Sequence, residues 1–239
     1  MKPSGTKRNS PRRPIKPRTT TSARASSSRS IERRERRRAQ SREEILEGAR
    51  RVLVRNGIAA TTLDAVAEEV GVTKAALYYY FPSKDAILFE LMFRGLEASA
   101  HAVHDAVEST TGGGEALRTI IRETVRVFAP RIDDFRLAFL HGQMAGNDSV
   151  HFDATQFARI RPLNDLWYAG ATKRLTEERT RRPSRAQVEP RLMAFLANLA
   201  AIGLLTMKGM VESVNDPLLY SDEQLVEGFA RIFEAAAAP

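Results

Sequence analysis

Residues 61–84 contain a pair of short helical patterns joined by a tight turn at Gly71, and this pair restricts the possible folds more than any other part of the sequence. The first pattern places apolar residues at the spacing of one helical face, at Leu63, Val66, Ala67 and Val70. Gly71 follows, at a tight turn where glycine adopts a left-handed backbone at little cost. The second pattern occupies residues 74–81 and ends before Pro82, because proline disfavours helix at the residue that precedes it.

Capping residues and inward apolar residues predict how this pair is arranged. Thr61 with Asp64 predicts the cap of the first helix, and Thr73 predicts the cap of the second. We expect Val72 and Leu77 to point inward and to fix the angle between the helices. The second helix is then held out from the rest of the chain, where it fits a DNA major groove about 12 Å wide.

The outward side chains of the second helix have chemistry that DNA recognition uses. They are Lys74, Ala75, Tyr78 and Tyr79. Lysine bonds guanine edges or phosphates, a tyrosine hydroxyl bonds phosphates, and a small alanine contacts a thymine methyl group. Tyr80 is expected on the inner face. Two packed helices without any DNA contact are the alternative that this pattern alone leaves open.

Residues 61–84 read TTLDAVAEEVGVTKAALYYYFPSK, and this stretch resembles the TetR family of repressors. The segment Leu-Tyr-x-x-Phe at 77–81, followed by Lys84, is typical of that family. So is the preceding helix with Ile45, Ala49 and Gly57. The resemblance covers about residues 41–92. Beyond them it is architectural only.

The resemblance implies a role for each matching position. Phosphates would be held at helix N-termini by Thr62 and Thr73. Bases or flanking phosphates would be faced by Lys74, Ala75 and Tyr79. The DNA backbone would be gripped by Tyr78 and Lys84. The family further implies a ligand-responsive homodimeric repressor on a palindromic operator, in which ligand shifts the fourth helix and separates the heads. The residues fit an activator equally well.

The rest of the chain has helical patterns and none of the alternating runs of strands, so we predict an all-α fold. A first helix starts at Ser41, which forms a capping box with Glu44, and stops at Asn56-Gly57. A fourth runs from Ser83 to about Ser109. Further helices are predicted at about 115–129, 132–145, 151–161, 162–181, 185–212 and 221–236, with Pro190 either a kink or a true start. Two further capping boxes pair Ser184 with Gln187 and Ser221 with Gln224.

Charge divides the chain into regions. Residues 1–40 contain 14 Lys or Arg and 2 Glu, which is a net charge of +12. The other 199 residues contain 23 Lys or Arg and 27 Asp or Glu, which is a net charge of −4. We predict a basic disordered extension over 1–40, of which 31–40 could extend the first helix. Such an extension attracts polyanions. The predicted domains that follow are a three-helix helix-turn-helix DNA-binding domain at 41–88, with its motif at about 62–81, and a helical ligand-binding and dimerisation domain at 89–239.

The stretch 192–205 is apolar almost all round, so it must be covered on nearly every side. A partner subunit is the simplest cover, and a buried helix in a monomeric core is the alternative. The last helix offers a second apolar face. The predicted dimer interface comprises Phe195, Leu199, Ile202, Leu205, Phe229 and Phe233.

A small, largely apolar effector is expected in the body, because pockets favour aromatic walls with few polar groups. The candidate lining residues are Phe135, Phe139, Met144, Trp167 and Tyr168, which could equally be ordinary core. His101 and His104 have spacing for a metal, but no third ligand accompanies them. We therefore expect no metal and no cofactor.

Other classes of function fit less well. The chain has no cysteine, which suits a reducing cytoplasm and excludes thiolate catalysis. Nucleophile-elbow, phosphate-loop and zinc-spaced motifs are missing too, so an enzyme is disfavoured. The apolar run from Leu192 to Met207 is shorter than the roughly 18 residues of a membrane span. A nucleoid-type protein that coats DNA through its basic extension is the main alternative.

Overall fold

The structure is a computed structural model that describes residues 20–140, 153–181, 188–214 and 220–237, and every regular element in those ranges is helical. The helices are α1 (Thr20–Ala60), α2 (Leu63–Val70), α3 (Lys74–Tyr80), α4 (Lys84–Glu108), α5 (Gly113–Phe128), α6 (Ile132–Phe135), α7 (Ala154–Ile160), α8 (Leu163–Arg181), α9 (Pro190–Val214) and α10 (Asp222–Ala237). A 3₁₀ turn (Ala129–Arg131) precedes α6 and a π-helical turn (Arg136–Leu140) follows it. The all-α prediction is confirmed.

The chain divides into two compact units, Met1–Glu43 and Glu44–Pro239. In the first unit the helix begins at Thr20, so it extends through residues 31–40, as one of the two alternatives predicted, and also includes residues 20–30, where we predicted disorder. Residues 1–19 lie outside the described part. Pro17 is the last proline before the helix, and the Ala, Arg, Glu and Gln residues after it favour helix. Side chains 30–40 are all exposed. Ser41 lies within the helix and therefore is not the predicted N-cap.

In the second unit, residues 44–88 form a small domain that we call the head. The second half of α1, together with α2, α3 and the start of α4, encloses a core of Ile45, Leu46, Ala49, Val52, Val66, Ala67, Leu77, Phe81 and Ile87. Gly57 has a positive φ of 78°, as its place at a predicted helix stop suggested. The helix nevertheless resumes beyond it and ends at Ala60.

Residues 89–237 form the body, in which α5 packs against α4, α8, α9 and α10. Its core includes Leu53 of α1 and extends from Leu88 on α4 to Ala201 on α9. Because α4 contributes Ile87 to the head core and Phe89 to the body core, one rigid helix belongs to both domains.

Several predicted boundaries shift. The helix predicted at 132–145 is helical over its described part, as α6 followed directly by the π-helical turn up to residue 140. Pro190 marks the start of α9 and not a kink, while Ser184 and Gln187 lie outside the described residues. The capping box of Ser221 and Gln224 forms, with backbone-to-side-chain distances of 2.9 and 3.2 Å. The sequence analysis missed an equivalent box between Asp153 and Gln156.

Within the described ranges, one stretch, Pro190–Val211, is long and apolar enough to cross a membrane, judged by length and composition alone. Its mean hydropathy reaches 1.6, yet only 28% of it is buried in the chain. One side packs against α5 and α8, and the other leaves an exposed apolar stripe. We define this apolar stripe as Leu192, Phe195, Leu196, Leu199, Met207 and Met210.

Candidate nucleic-acid interface

Two threonines cap the helices of the turn motif. The Oγ1 of Thr62 accepts a hydrogen bond from the amide of Ala65 at 3.1 Å, and Thr73 does the same for Ala76 at 3.1 Å. Thr61, which we predicted as the first cap, is buried and donates its hydroxyl to the carbonyl of Gly57 at 2.7 Å. Since the first amides of any helix lack intrahelical partners, both capped N-termini present N–H donors to an anion.

The turn between α2 and α3 is held by its backbone. Gly71 has φ 72° and ψ 32°, the left-handed conformation that its position predicted. Its amide donates to the carbonyl of Glu68 at 3.2 Å, and the amide of Val72 donates to Ala67 at 3.0 Å. The side chain of Val72 is 36% exposed, so the prediction that it points inward is wrong. Leu77 is the fully buried residue of α3 and anchors it in the head core, against which Tyr80 also packs.

The opposite face of α3 is open to solvent. Lys74 and Ala75 are exposed, and the side chains of Tyr78 and Tyr79 are 48% and 66% exposed. Tyr80 is half-buried against the head core, as expected. The structure thus brings four predicted DNA-binding side chains together on one accessible surface between the two capped helix ends.

Lys74 has an ionic partner within the motif. Its Nζ lies 2.8 Å from Oδ2 of Asp64, and the hydrogen bond from this carboxylate raises the pKa of Lys74 above its usual value. The lysine is therefore a cation at physiological pH. Asp64 lies in the first turn of α2, so in the free protein its carboxylate offsets part of the positive charge at this surface.

The remaining predicted contact, Lys84, starts α4 and is half-buried. Its Nζ donates to the carbonyl of Ala59 at 3.2 Å, near the end of α1. An ammonium group carries three hydrogens, so this bond positions the cation without using all of its donors.

Sequence reasoning missed the ion pairs that hold α1 against α2. Glu69 accepts from Nε of Arg51 at 2.7 Å and from Nη2 of Arg55 at 2.9 Å. These two bonds lower the pKa of the Glu69 carboxyl. The spacing of four residues between the arginines, which places them on one helical face, was the available signal.

The predicted pocket residues fall into two groups in the body. Phe135 and Phe139 form an aromatic cluster with Phe128, with ring centroids 5.2 to 5.9 Å apart. Trp167 and Tyr168 lie in the main core, which Phe139 also contacts. Met144 lies outside the described residues.

A buried polar chain, also missed, runs through this core. Asn198 donates from Nδ2 to the hydroxyl of Tyr168 at 3.2 Å, and Thr124 donates to Oδ1 of Asn198 at 3.4 Å. The indole of Trp167 donates to Ser99 at 3.4 Å. Burial raises the pKa of the Tyr168 hydroxyl. Such convergent polar groups in an apolar surrounding are the kind that orient a bound molecule.

The predicted interface residues are distributed unevenly. Phe195 and Leu199 are each 42% exposed, and Ile202 is half-buried. Phe229 and Phe233 are half-buried against the body core. Leu205 is 1% exposed and packs with Phe128 and Phe135, so assigning it to a subunit interface is wrong. The side of α9 that carries Leu205 faces the core of the body.

Across the described ranges, no three His, Asp or Glu side chains are grouped so as to hold a metal ion.

Comparison with known proteins finds related sequences over the head. The family model described as "Bacterial regulatory proteins, tetR family" matches residues 45–91. The uncharacterised HTH-type transcriptional regulator YxaF of Bacillus subtilis is 29% identical over 92 residues, which are 38% of this chain and 48% of that protein. The chain thus matches about half of the length of that relative.

Solved structures extend the likeness beyond the head. A TetR/AcrR-family regulator from Thermobifida fusca is similar with a TM-score of 0.62 and 21% identity, over 82% of this chain and 97% of that one. The regulator FadR of Bacillus subtilis, in complex with stearoyl-CoA, gives a TM-score of 0.59 and 16% identity over 82% and 96%. Because the sequence identities to these structures are only 21% and 16%, the similarity shows a shared fold and nothing more.

The head and the body together define a helix-turn-helix protein whose small reading domain is carried on a larger helical domain. The matched residues lie in the head and the shared fold includes the body. Residues 45–91 match the DNA-binding domain of the TetR family of bacterial regulatory proteins, and the fold of the chain is similar to that of solved TetR-family regulators.

Proposed function

We propose that this protein is a sequence-specific transcriptional regulator that acts in the cytoplasm as a ligand-responsive homodimeric repressor on a palindromic operator. The observation that carries the proposal is the open face of α3. Its lysine and tyrosine side chains project from a helix anchored by Leu77 and flanked by two threonine-capped N-termini. A helix of this kind reads base edges in the major groove while the capped ends contact phosphates.

The residues of this face divide the recognition between them. Lys74 and Ala75, at the start of α3, are placed to meet base edges, whereas Tyr78 and Tyr79 supply hydroxyl groups for phosphates. Since alanine reads only a methyl group, much of the discrimination falls to Lys74 and to the shape of the DNA.

The apolar stripe on α9 supports the homodimer. Monomeric proteins rarely leave a continuous apolar patch of this kind uncovered. Gly203 lies along the same face and Gly228 lies on α10, where Ile232 is 64% exposed; an added Cβ at either glycine would meet no atom within 4 Å. Accessible backbone on two adjacent helices allows close packing against the same helices of a second copy. A two-fold dimer presents two heads to a palindromic site.

The effector proposal rests on the body core. The aromatic cluster and the polar chain through Asn198 provide apolar walls with a few oriented donors, which suits a small, largely apolar molecule. FadR of Bacillus subtilis, which shares the fold, is described in complex with stearoyl-CoA. Since α4 belongs to both cores, movement of the body around a ligand reaches the head. The coupling must be reciprocal, so operator DNA weakens effector binding by the same factor.

A fluorescence-anisotropy titration tests the proposal. Full-length protein is titrated against its own upstream intergenic DNA and a scrambled duplex at about 150 mM salt, since phosphate contacts make affinity salt-dependent. We expect a specificity ratio on the order of 10³ and two chains per site.

A double variant, Tyr78→Ala with Tyr79→Ala, should lower the operator affinity on the order of tenfold, because it removes two hydroxyl groups that contact phosphates. Tyr220→Ala, which changes a tyrosine that is 60% exposed outside the head, is the control and should retain the affinity of the unchanged protein. Equal, salt-sensitive binding of both duplexes by all three proteins would contradict the regulator and favour the coating protein. That second candidate is supported by the net charge of +12 in residues 1–40.

A further inference from the structure

A cleft of about 350 Å³ lies between the head and the body. One wall is formed by α1 with Arg50, Arg51, Val54 and Arg55, and the other by residues 129–133. The cleft is open on one side, and its volume admits a small molecule but not a DNA duplex. It shares no residue with the exposed face of α3.

The cleft has an excess of positive charge. Four guanidinium groups line it, and two carboxylates are shared among them. Glu69 pairs with Arg51 and Arg55, whereas Asp134 lies 3.2 Å from Nε of Arg50 and 3.5 Å from Nε of Arg131. Asp133, the acidic residue of the wall, is paired with Arg136 at 2.9 Å. Among the residues that the structure describes, the four arginines of the cleft therefore share two carboxylates, which is an excess of two positive charges.

The geometry of these pairs leaves donors for a further acceptor. Arg50, Arg51 and Arg131 use their Nε atoms, so the terminal Nη groups of the three side chains take no part in these ion pairs. Arginine presents its N–H groups in a planar fork that matches the oxygens of a phosphate. Side-chain exposures of 28%, 48%, 60% and 54% for Arg50, Arg51, Arg55 and Arg131 make them accessible from solvent.

We propose that this cleft is a binding site for a small phosphate-bearing molecule, held by its four arginines. The apolar atoms of Val54 and Pro130 line the same space, so they provide a surface for an organic group attached to the phosphate. This site is separate from the aromatic core in which the effector is proposed to bind.

Occupancy of the cleft also affects the contact between head and body. Arg50 belongs to α1 and Asp134 to α6, and their ion pair joins the two domains. A phosphate competes with the Asp134 carboxylate for Arg50, so binding loosens this contact. The consequence for DNA affinity rests on the proposed function, whereas the binding site itself does not.

Isothermal titration calorimetry of the full chain with inorganic pyrophosphate, at constant ionic strength, tests the binding site. We expect saturable binding that the double variant Arg55→Gln with Arg131→Gln weakens on the order of tenfold, because charge-assisted bonds to phosphate are lost. The control Arg126→Gln with Arg161→Gln removes the same charge from exposed positions elsewhere and should bind as the unchanged protein does. Equal affinity in all three proteins would overturn the proposal, because it would assign the binding to other basic residues.

A single variant with the opposite expected effect distinguishes loss of the binding site from misfolding of the protein. Asp134→Asn removes the carboxylate that competes for Arg50 and Arg131, so pyrophosphate should bind several-fold more tightly. A misfolded protein would not gain affinity. Unchanged or weaker binding by this variant would contradict the arrangement described above.

Two further arms identify the source of the phosphate and the link to DNA. Tighter binding of ATP than of pyrophosphate supports an organic phosphate that uses the apolar wall, and weaker binding overturns it in favour of an inorganic anion. Saturating pyrophosphate should lower operator affinity in the unchanged protein but not in the Arg55→Gln, Arg131→Gln variant. If pyrophosphate binds without any effect on operator affinity, the link between the cleft and DNA binding is refuted, but the binding site is retained. If the unchanged protein does not bind the operator at all, only the proposed regulatory function is contradicted.

Discussion

The head and the body solve the problem of burial differently. In the head, nine apolar side chains form a closed core, and the surface of α3 presents lysine and tyrosine. In the body, a larger core is also closed, yet α9 keeps six large apolar side chains on its outer side. A polar open face suits a charged, hydrated partner such as DNA, whereas an apolar one suits a second protein surface.

The exposed residues therefore distinguish the two domains more than the buried residues do. Both cores are formed by aliphatic and aromatic residues on helices. The domains differ in the chemistry of their exposed faces, and therefore in the kind of partner that each face could bind.

The largest effect is expected when the head loses its anchor. Leu77→Ala removes the one fully buried side chain of α3, and such a truncation costs about 2–5 kcal/mol in a packed core. We expect operator binding to disappear in an anisotropy titration while circular dichroism shows that most of the helical signal is retained. Val72→Ala, at a position 36% exposed in the same turn, should cost less than about 1 kcal/mol. Equal losses would mean that Val72 also anchors the head.

A charge within the apolar stripe should separate the subunits. Leu199→Glu places a carboxylate on a face that dimerisation would bury, and an unpaired buried charge costs several kcal/mol. Sedimentation velocity should then show monomers at concentrations where the unchanged protein is dimeric. Phe157→Glu, at a residue 56% exposed on α7, is the control and should remain dimeric. A dimer that persists in Leu199→Glu would place the interface elsewhere.

Charge at the DNA face should tune affinity in two directions. Lys74→Gln removes a cation and should weaken operator binding about tenfold, because a bond to base or phosphate is lost. Asp64→Asn removes the carboxylate 2.8 Å from Lys74 and should strengthen binding several-fold. Anisotropy titrations over a range of salt concentrations measure both changes. If Asp64→Asn binds more weakly, the ion pair orients the lysine instead of competing for it.

The smallest effect concerns the buried polar chain of the body. Tyr168→Phe removes its hydrogen bond with Asn198 and should cost about 0.5–1.5 kcal/mol at neutral pH. Burial raises the pKa of Tyr168, so above the ordinary value of 10.0 the unfolded chain loses this proton first and stability falls as the pH rises. Urea denaturation should therefore show a shallower decline above pH 10 in Tyr168→Phe than in the unchanged protein.

Tyr220→Phe is the control for this measurement, because Tyr220 is 60% exposed. It should follow the unchanged protein at every pH. A decline in Tyr168→Phe as steep as in the unchanged protein would assign the alkaline loss of stability to other groups.

Much of the head was predictable because its determinants are local. The caps, the left-handed glycine and the helix period all act within about ten residues, so Thr73, Gly71 and Leu77 could be placed from the sequence. The prediction was wrong where two adjacent threonines could each cap α2. Thr61 donates its hydroxyl to the carbonyl of Gly57, and Thr62 is the cap. Val72 was assigned inward on its apolarity alone, although Leu77 and Tyr80 already pack α3 against the head core.

The body was predictable as a set of helices but not as an arrangement of faces. Leu205 and Leu199 lie on one apolar helix, and only its packing against α5 and α6 shows that the first is core and the second is exposed. The bond between Tyr168 and Asn198 joins residues 30 apart in sequence, and the bond between Arg50 and Asp134 joins residues 84 apart.

Sequence alone was enough to predict the helical class, the turn motif, the exposed chemistry of α3 and the helix that follows it. Tertiary structure decided which side of α9 is open, which polar groups meet inside the body, and that four arginines surround one cleft. The physical reason is the range of the forces involved. Backbone propensity and capping act between neighbours, whereas burial and charge pairing depend on residues that only the folded chain brings together.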